Sequence, residues 1–230
     1  RGGPGLGGIQ PSQSDYWQAT RALGHGDFQI IVYAPSSVQE MADYMCKAFD
    51  MADKFRMPAL ILADGLLGQM MEPVVFEDKE IKMSDASEKP WATNGHGNKR
   101  PHNIVNSLYL QADELEQYNV ERFKRYEKVK EELPELESYL CDDAEIVVAA
   151  YGSVARIAKA AVEQARAEGI KAGLARPITL YPYPEKELKT ACKTAKKVLV
   201  TEMSMGQMVD DVRLALSAAC RWSFSEEREE

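Results

Sequence analysis

The stretch FQIIVYAP, Phe28 to Pro35, is short, apolar and β-branched, and reads as a strand buried on both faces. The residues just beyond it constrain the fold more than the strand itself. Ser36-Ser37 is succeeded by Gln39 and Glu40, each three residues after a serine, which is a capping-box signature for a helix start. Met41, Tyr44, Met45, Ala48, Phe49 and Ala52 then recur at helical spacing and predict one apolar face. Pro58 breaks the pattern, and ALILAD, Ala59 to Asp64, reads as a second buried strand. Strand, helix and strand at this spacing make a βαβ unit with a parallel sheet, which must be covered on both faces. Two strands are too few for such a sheet, so this first domain is expected to be incomplete.

The second half repeats the logic. EIVVAAYG, Glu145 to Gly152, predicts a buried strand, with Ser153 as the cap of the next helix. Val154, Ile157, Ala158, Ala161, Val162 and Ala165 line one face of that helix, and Gly169 ends it. IKAGLARPITLYP, Ile170 to Pro182, leads into another strand, and a helix comes next over residues 185–195. KVLVTEM, Lys197 to Met203, is a third strand, and residues 205–216 form a closing helix. Between the halves, 88–102 mixes Pro, Gly, Asn and Lys and reads as a loop. The Glu- and Lys-rich stretch 113–140 predicts a connecting helix with a solvated charged face. The fold class is α/β: two three-layer domains with parallel sheets, the first over residues 1–92 and the second over 144–216. A loop and helical linker over 93–143 joins them.

Composition narrows the function. Across 230 residues the formal net charge is −8, which argues against nucleic acid as a partner. No apolar run approaches the ~20 residues needed to span a bilayer, and nothing resembles a signal peptide, so no membrane partner is expected. Cys46, Cys141, Cys192 and Cys220 are scattered without a C-x-x-C pair, which predicts a cytoplasmic location and neither an iron–sulfur cluster nor a structural zinc in this chain.

The N-terminal RGGPGLGG, Arg1 to Gly8, is a glycine-dense run where backbone can pass close to a ligand. It lacks the Lys-Ser/Thr ending of a nucleotide-triphosphatase loop and a clean G-x-G-x-x-G, so a close-approach loop serving another ligand fits better than a phosphate loop. Arg1 can offer a planar fork to a carboxylate, or be a surface residue. His25, His96 and His102 show no metal-ligand spacing, and His25 between Gly24 and Gly26 reads as structural. GQMMEPV, Gly68 to Val74, reads as core or interface packing or the lining of an apolar pocket, and GQM recurs at Gly206 to Met208. These residues leave open an enzyme subunit or a non-catalytic binding or assembly protein with flavodoxin-like domains.

Several stretches together carry a resemblance. RGGPGLGGIQPSQSDYWQATRALGHGD, IIVYAPSSVQEM and LILADGLLGQMMEPV resemble the α subunit of 2-oxoacid:ferredoxin oxidoreductases. VVAAYGSVARIAKAAV, RPITLYPYP and VTEMSMGQMVDDVR are similar to the transketolase C-terminal-like domain that comes next in that subunit. The spelling looks closest to the branched-chain type (3-methyl-2-oxobutanoate, or 2-ketoisovalerate), with the 2-oxoglutarate type as the alternative. The resemblance implies that residues 1–92 are the C-terminal part of a pyrimidine-binding domain for thiamine diphosphate. It also implies oxidative decarboxylation of a 2-oxoacid to an acyl-CoA, with coenzyme A as co-substrate and ferredoxin reduced. Thiamine diphosphate with Mg2+ would be shared with a β subunit carrying the diphosphate-binding domain, and the iron–sulfur cluster would sit in ferredoxin-like γ or δ partner subunits. It places Arg1 on the substrate carboxylate, with Gly2, Gly3 and Pro4 letting the loop approach the substrate and Gln13, Ser14 and Asp15 fixing its downstream half or a subunit contact. The activating glutamate is expected upstream of Arg1, so no catalytic residue is assigned within the chain and the chain alone is expected to be inactive. The tail from Ser217 to Glu230 departs from the family pattern, and codons for it read in another frame can spell G-L-P-V-E-F-L-G-R-E-G-G. That implies a frameshift near Ser217.

Overall fold

A computed structural model describes residues 10–21, 27–76 and 89–217. In chain order the elements are α1 (Tyr16–Thr20), β1 (Ile31–Tyr33), α2 (Val38–Phe55), β2 (Ala59–Ile61), α3 (Gly65–Gln69), α4 (Ala112–Glu132) and β3 (Leu136–Tyr139). They continue with β4 (Ile146–Ala149), α5 (Gly152–Ala167), β5 (Ala172–Pro177), β6 (Thr179–Tyr181), α6 (Glu185–Ala191), β7 (Lys197–Val200) and α7 (Met208–Leu216). Two compact units result. One combines the described residues up to Val74 with those from Lys124 onward, and the other is Val75–Phe123.

The first unit holds two sheets, ordered β2-β1-β6 and β3-β5-β4-β7. β1 pairs in parallel with β2, and Ile31, Val32 and Tyr33 are fully buried, as their β-branched and aromatic character predicts. β4 is parallel to both β5 and β7. Each sheet also carries an antiparallel edge strand, β6 on β1 and β3 on β5, so the α/β class holds while the sheets are mixed. One buried cluster joins the two sheets, bringing Val32 and Ala34 together with Ala149, Ala175, Leu180, Met208 and Val212.

Four local expectations change. Residues 170–182 form two strands in different sheets, because Pro177 has no N–H to continue the ladder and the chain leaves at Ile178, whose carbonyl accepts from the Ala34 N–H at 2.8 Å. The connecting helix stops at Glu132, and beyond Pro134 the LESY segment is strand β3.

The buried stripe of α2 is rotated from the expected one. Ala48 and Phe55 are buried with Tyr44 and Met51 packed beside them, against Tyr126, Val129 and Leu133 of the α4 region, while Met45 and Phe49 face outward. On α5, Val154, Ala155, Ala158 and Val162 are buried and Ile157 is exposed. In both helices the apolar set is wider than the buried arc, and spacing alone did not say which edge the sheet would cover.

The start of α2 matches its sequence signal closely. Ser37 Oγ accepts from the Glu40 N–H at 3.1 Å, and Glu40 reaches back to the N–H and hydroxyl of Ser36 at 2.7 and 3.1 Å. The helix ends at Arg56 in the left-handed region (φ 50°), just before Pro58. No helix among the described residues is long and apolar enough to cross a membrane.

Candidate functional site

Arg1, Gly2, Gly3 and Pro4 lie outside the described residues, as do His25 and the tail from Ala218 onward. The described part of their segment starts at Gln10 and is anchored at Gln13, which is buried. The Gln13 side-chain amide donates to the Tyr151 carbonyl at 2.9 Å and accepts from the Met203 N–H at 2.9 Å. Its main-chain N–H donates to the Met203 carbonyl at 2.8 Å, and its carbonyl accepts from the Tyr151 hydroxyl at 3.2 Å. Tyr151 lies just after β4 and Met203 just after β7, so one glutamine ties the segment to the C-terminal ends of two strands of the second sheet, where open α/β sheets place their ligands. Burial raises the Tyr151 phenol, with the Glu202 and Asp64 charges adding to the effect, so it stays protonated and donates.

A third loop joins this junction. Asp64, at the end of the segment after β2, is buried and accepts from the N–H groups of Leu66 and Leu67 at 2.9 and 3.1 Å, which caps α3. Its other oxygen accepts a short hydrogen bond from Ser153 Oγ. Ser153 therefore is not the helix cap expected from its position. Tyr151 occupies the N-cap with its side chain bonded to Gln13 and not to the helix, and Ser153 spends its hydroxyl on Asp64. Between them Gly152 has φ 58°, and a Cβ there would lie 3.1 Å from Gln13 Nε2 and 3.7 Å from Asp64. Glycine is required both by the backbone and by the close approach.

Around these groups Ser12, Gln13, Asp15, Leu62, Asp64 and Gly152 line a recess of about 20 Å³, room for a single water. Among the described residues its lining includes no histidine that could serve the Ser153–Asp64 pair as a base for nucleophilic chemistry. The arrangement serves to hold three loops in register.

The segment after Gln13 is braced by groups that sequence reading passed over. Gln207 donates to the Ser14 carbonyl and accepts from the Trp17 N–H, both at 2.8 Å. The Tyr16 hydroxyl donates to Asp211 at 2.6 Å, and Arg21 pairs with the same carboxylate at 2.9 Å. Burial and the neighbouring Asp211 charge push the Tyr16 phenol well above its usual range. The signal for Asp211 was present: it shares a helix face with Met208, Val212 and Ala215, where an unpartnered carboxylate would be costly.

Two further candidates resolve differently. His96 and His102, six residues apart, bring their ring centroids to 4.0 Å, and His96 Nδ1 accepts from the Asn98 N–H. In GQMMEPV, Met71 is fully exposed, while Glu72 accepts from the Val38 N–H at 2.9 Å and pairs with Arg156 at 2.6 Å. No group of three or more His, Cys, Asp or Glu side chains among the described residues could hold a metal ion.

With this geometry in place, comparisons with known proteins decide the family. A model described as pyruvate flavodoxin/ferredoxin oxidoreductase, thiamine diphosphate-binding, matches residues 1–138, more than half of the chain. The chain belongs to that family. A second model, core domain II of pyruvate:ferredoxin oxidoreductase, matches residues 144–226. Ketoisovalerate oxidoreductase subunit VorB of Methanothermobacter thermautotrophicus is 44% identical over 96% of this chain and 61% of its own length. The 2-oxoglutarate synthase subunit KorA of Methanothermobacter marburgensis is 33% identical over 94% of the chain and 64% of its own length. The chain thus spans under two thirds of the length of these relatives. A solved 2-oxoglutarate:ferredoxin oxidoreductase from Magnetococcus marinus shares the fold, with a TM-score of 0.74 at 21% identity, covering 94% of this chain and 42% of that one. The resemblance carried by RGGPGLGG, QPSQSDYWQ and the strand motifs therefore holds.

Thiamine diphosphate, the cofactor named by the family model, does not fit the recess around Gln13 and Asp64. The recess at the strand ends has room for one water, and its polar atoms are already committed to each other.

Proposed function

We propose that this chain is part of the α subunit of a 2-oxoacid:ferredoxin oxidoreductase acting on branched-chain 2-oxoacids. The reaction breaks the bond between the carbonyl carbon and the carboxylate, releases carbon dioxide and forms the thioester to coenzyme A. The electron pair passes through iron–sulfur centres in partner subunits to ferredoxin. One observation carries the substrate class: 44% identity to the ketoisovalerate subunit against 33% to the 2-oxoglutarate subunit, at nearly equal coverage of the chain.

In this reading thiamine diphosphate with Mg2+ is shared with a β subunit, in agreement with the small recess of the described residues. Arg1 supplies the cationic fork for the substrate carboxylate, and Gly2, Gly3 and Pro4 let that loop come close. The enzyme acts in the cytoplasm as a hetero-oligomer with ferredoxin-like γ or δ subunits. The test is cofactor dependence of the complete complex. Removing thiamine diphosphate and Mg2+ should abolish ferredoxin reduction by 2-oxoisovalerate and coenzyme A, and restoring both should recover it. Full turnover without the cofactor would overturn the proposal.

A further inference from the structure

We propose that the outer edge of β7 pairs antiparallel with β7 of a second copy of this chain, joining the second sheets of both copies across a two-fold axis. β7 is the last strand in the order β3-β5-β4-β7, and among the described residues no strand lies on its outer side. The Lys197 N–H donates to the Glu145 carbonyl at 3.2 Å, and the Thr201 N–H to the Ala149 carbonyl at 3.0 Å. Main-chain groups alternate in direction along a strand, so Lys197, Leu199 and Thr201 serve β4. Val198 and Val200 therefore turn their N–H and C=O groups outward. Such an edge is a template for another strand unless charge or cover blunts it. The opposite edge, β3, is blunted by Glu137, which bonds Arg176 and Lys159. On β7 every residue between Lys197 and Thr201 is apolar, and Leu199 is 57% exposed.

Register and charge select a second copy as the occupant. In an antiparallel pair, residues that exchange both hydrogen bonds stand directly opposite each other. Setting Val198 opposite Val200 of the second copy, and Val200 opposite its Val198, satisfies every outward group of both strands. That register brings the two copies of Leu199 together on the axis as a non-hydrogen-bonded pair, the closer kind. The charges run along the same edge. Lys171, Lys196 and Lys197 gather at the start of β7, where Glu145 pairs with Lys196. At the other end of the groove beside the strand lie Glu202, which accepts from the Met208 and Val209 N–H groups of α7, and Asp210 next to Arg213. An antiparallel copy turns this gradient round, so the lysine end of each chain meets the acidic end of the other. Lys197 then stands opposite Thr201 and beside Glu202 of the second copy, whereas a parallel copy would bring lysine against lysine.

Sedimentation velocity of the full chain over a concentration series tests this. The chain should sediment as a dimer. Leu199→Lys sets two ammonium groups against each other on the axis and should weaken that dimer by about tenfold. Because Leu199 is largely exposed, the variant should keep the circular dichroism of the wild type. Cross-linking reads the register. With Cys46 and Cys220 replaced by serine, Leu199→Cys should form a disulfide between copies on mild oxidation, since the two positions face each other. Lys197→Cys should not, because its own copy lies about 13 Å along the strand. Should Leu199→Lys fail to fold, the two cysteine variants carry the test. A chain that stays monomeric overturns the proposal, and so does a dimer whose dissociation constant Leu199→Lys leaves within twofold. Absence of a Leu199→Cys cross-link overturns it too, as it would if a different chain or another segment covered this edge.

Discussion

Arg176, on β5, forks two guanidinium nitrogens onto the Glu40 carboxylate on α2 at 2.8 and 2.9 Å, across 136 residues of sequence. Its third nitrogen bonds Glu137 on β3 at 2.6 Å, so one almost fully buried arginine ties the helix of the first sheet to two strands of the second. Removing it would take the guanidinium from two carboxylates and leave Glu40 with Ser36 alone and Glu137 with Lys159 alone. Arg176→Met is expected to destabilise the protein by about 3 kcal/mol, the low end for breaking a buried pair because both glutamates retain some exposure. Urea denaturation at neutral pH measures this.

The same network predicts an acid limb. Burial by itself would raise the Glu40 carboxyl, but hydrogen bonds from Arg176 and Ser36 and the Arg176 charge hold it below its usual value. Glu137 is lowered in the same way, with Lys159 and Arg176 overcoming its burial. A carboxylate whose folded pKa is depressed contributes stability above its unfolded value of about 4.3, and that stability disappears as the pH falls through the folded value. Stability should therefore drop on acidification below about pH 4.3, and Glu40→Gln should be weaker at neutral pH with a flatter acid limb. Melting temperatures across that range check both features.

Gly152→Ala tests the junction under Gln13. The φ of 58° and the 3.1 Å approach of a Cβ to Gln13 Nε2 together should cost about 1–3 kcal/mol. Chemical denaturation of the variant would show it, and an unchanged midpoint would mean that the loop after β4 can shift freely.

The rotation of α2 gives a paired test. Phe55→Ala opens a cavity in a packed site and should cost about 3–5 kcal/mol. Phe49→Ser, on a ring that is 71% exposed, should stay within about 0.5 kcal/mol of wild type in this chain.

Sequence reading located the elements whose signals are local. The strand at Ile31, the Ser37 cap, the helix stop before Pro58 and the turn at Gly169 all arise from the chemistry of a few adjacent residues. What escaped it depends on distant partners. Thr179–Tyr181 looks like the continuation of β5 until β1 is there to receive it, and the outward turn of Phe49 depends on where Tyr126 and Val129 pack. The site behaves the same way. The resemblance left Gln13 between fixing its loop's downstream half and a subunit contact, and the carbonyls and N–H groups it bonds come from residues 151 and 203. Ser153 was misread as a cap because its true acceptor, Asp64, is 89 residues away.

The proposed substrate class is read by kcat/KM of the complete complex for 2-oxoisovalerate against 2-oxoglutarate, each with saturating coenzyme A and ferredoxin. A pocket shaped for a branched apolar side chain should prefer 2-oxoisovalerate by at least about tenfold. A preference for 2-oxoglutarate would overturn the branched-chain proposal and move the chain to the other branch of its family.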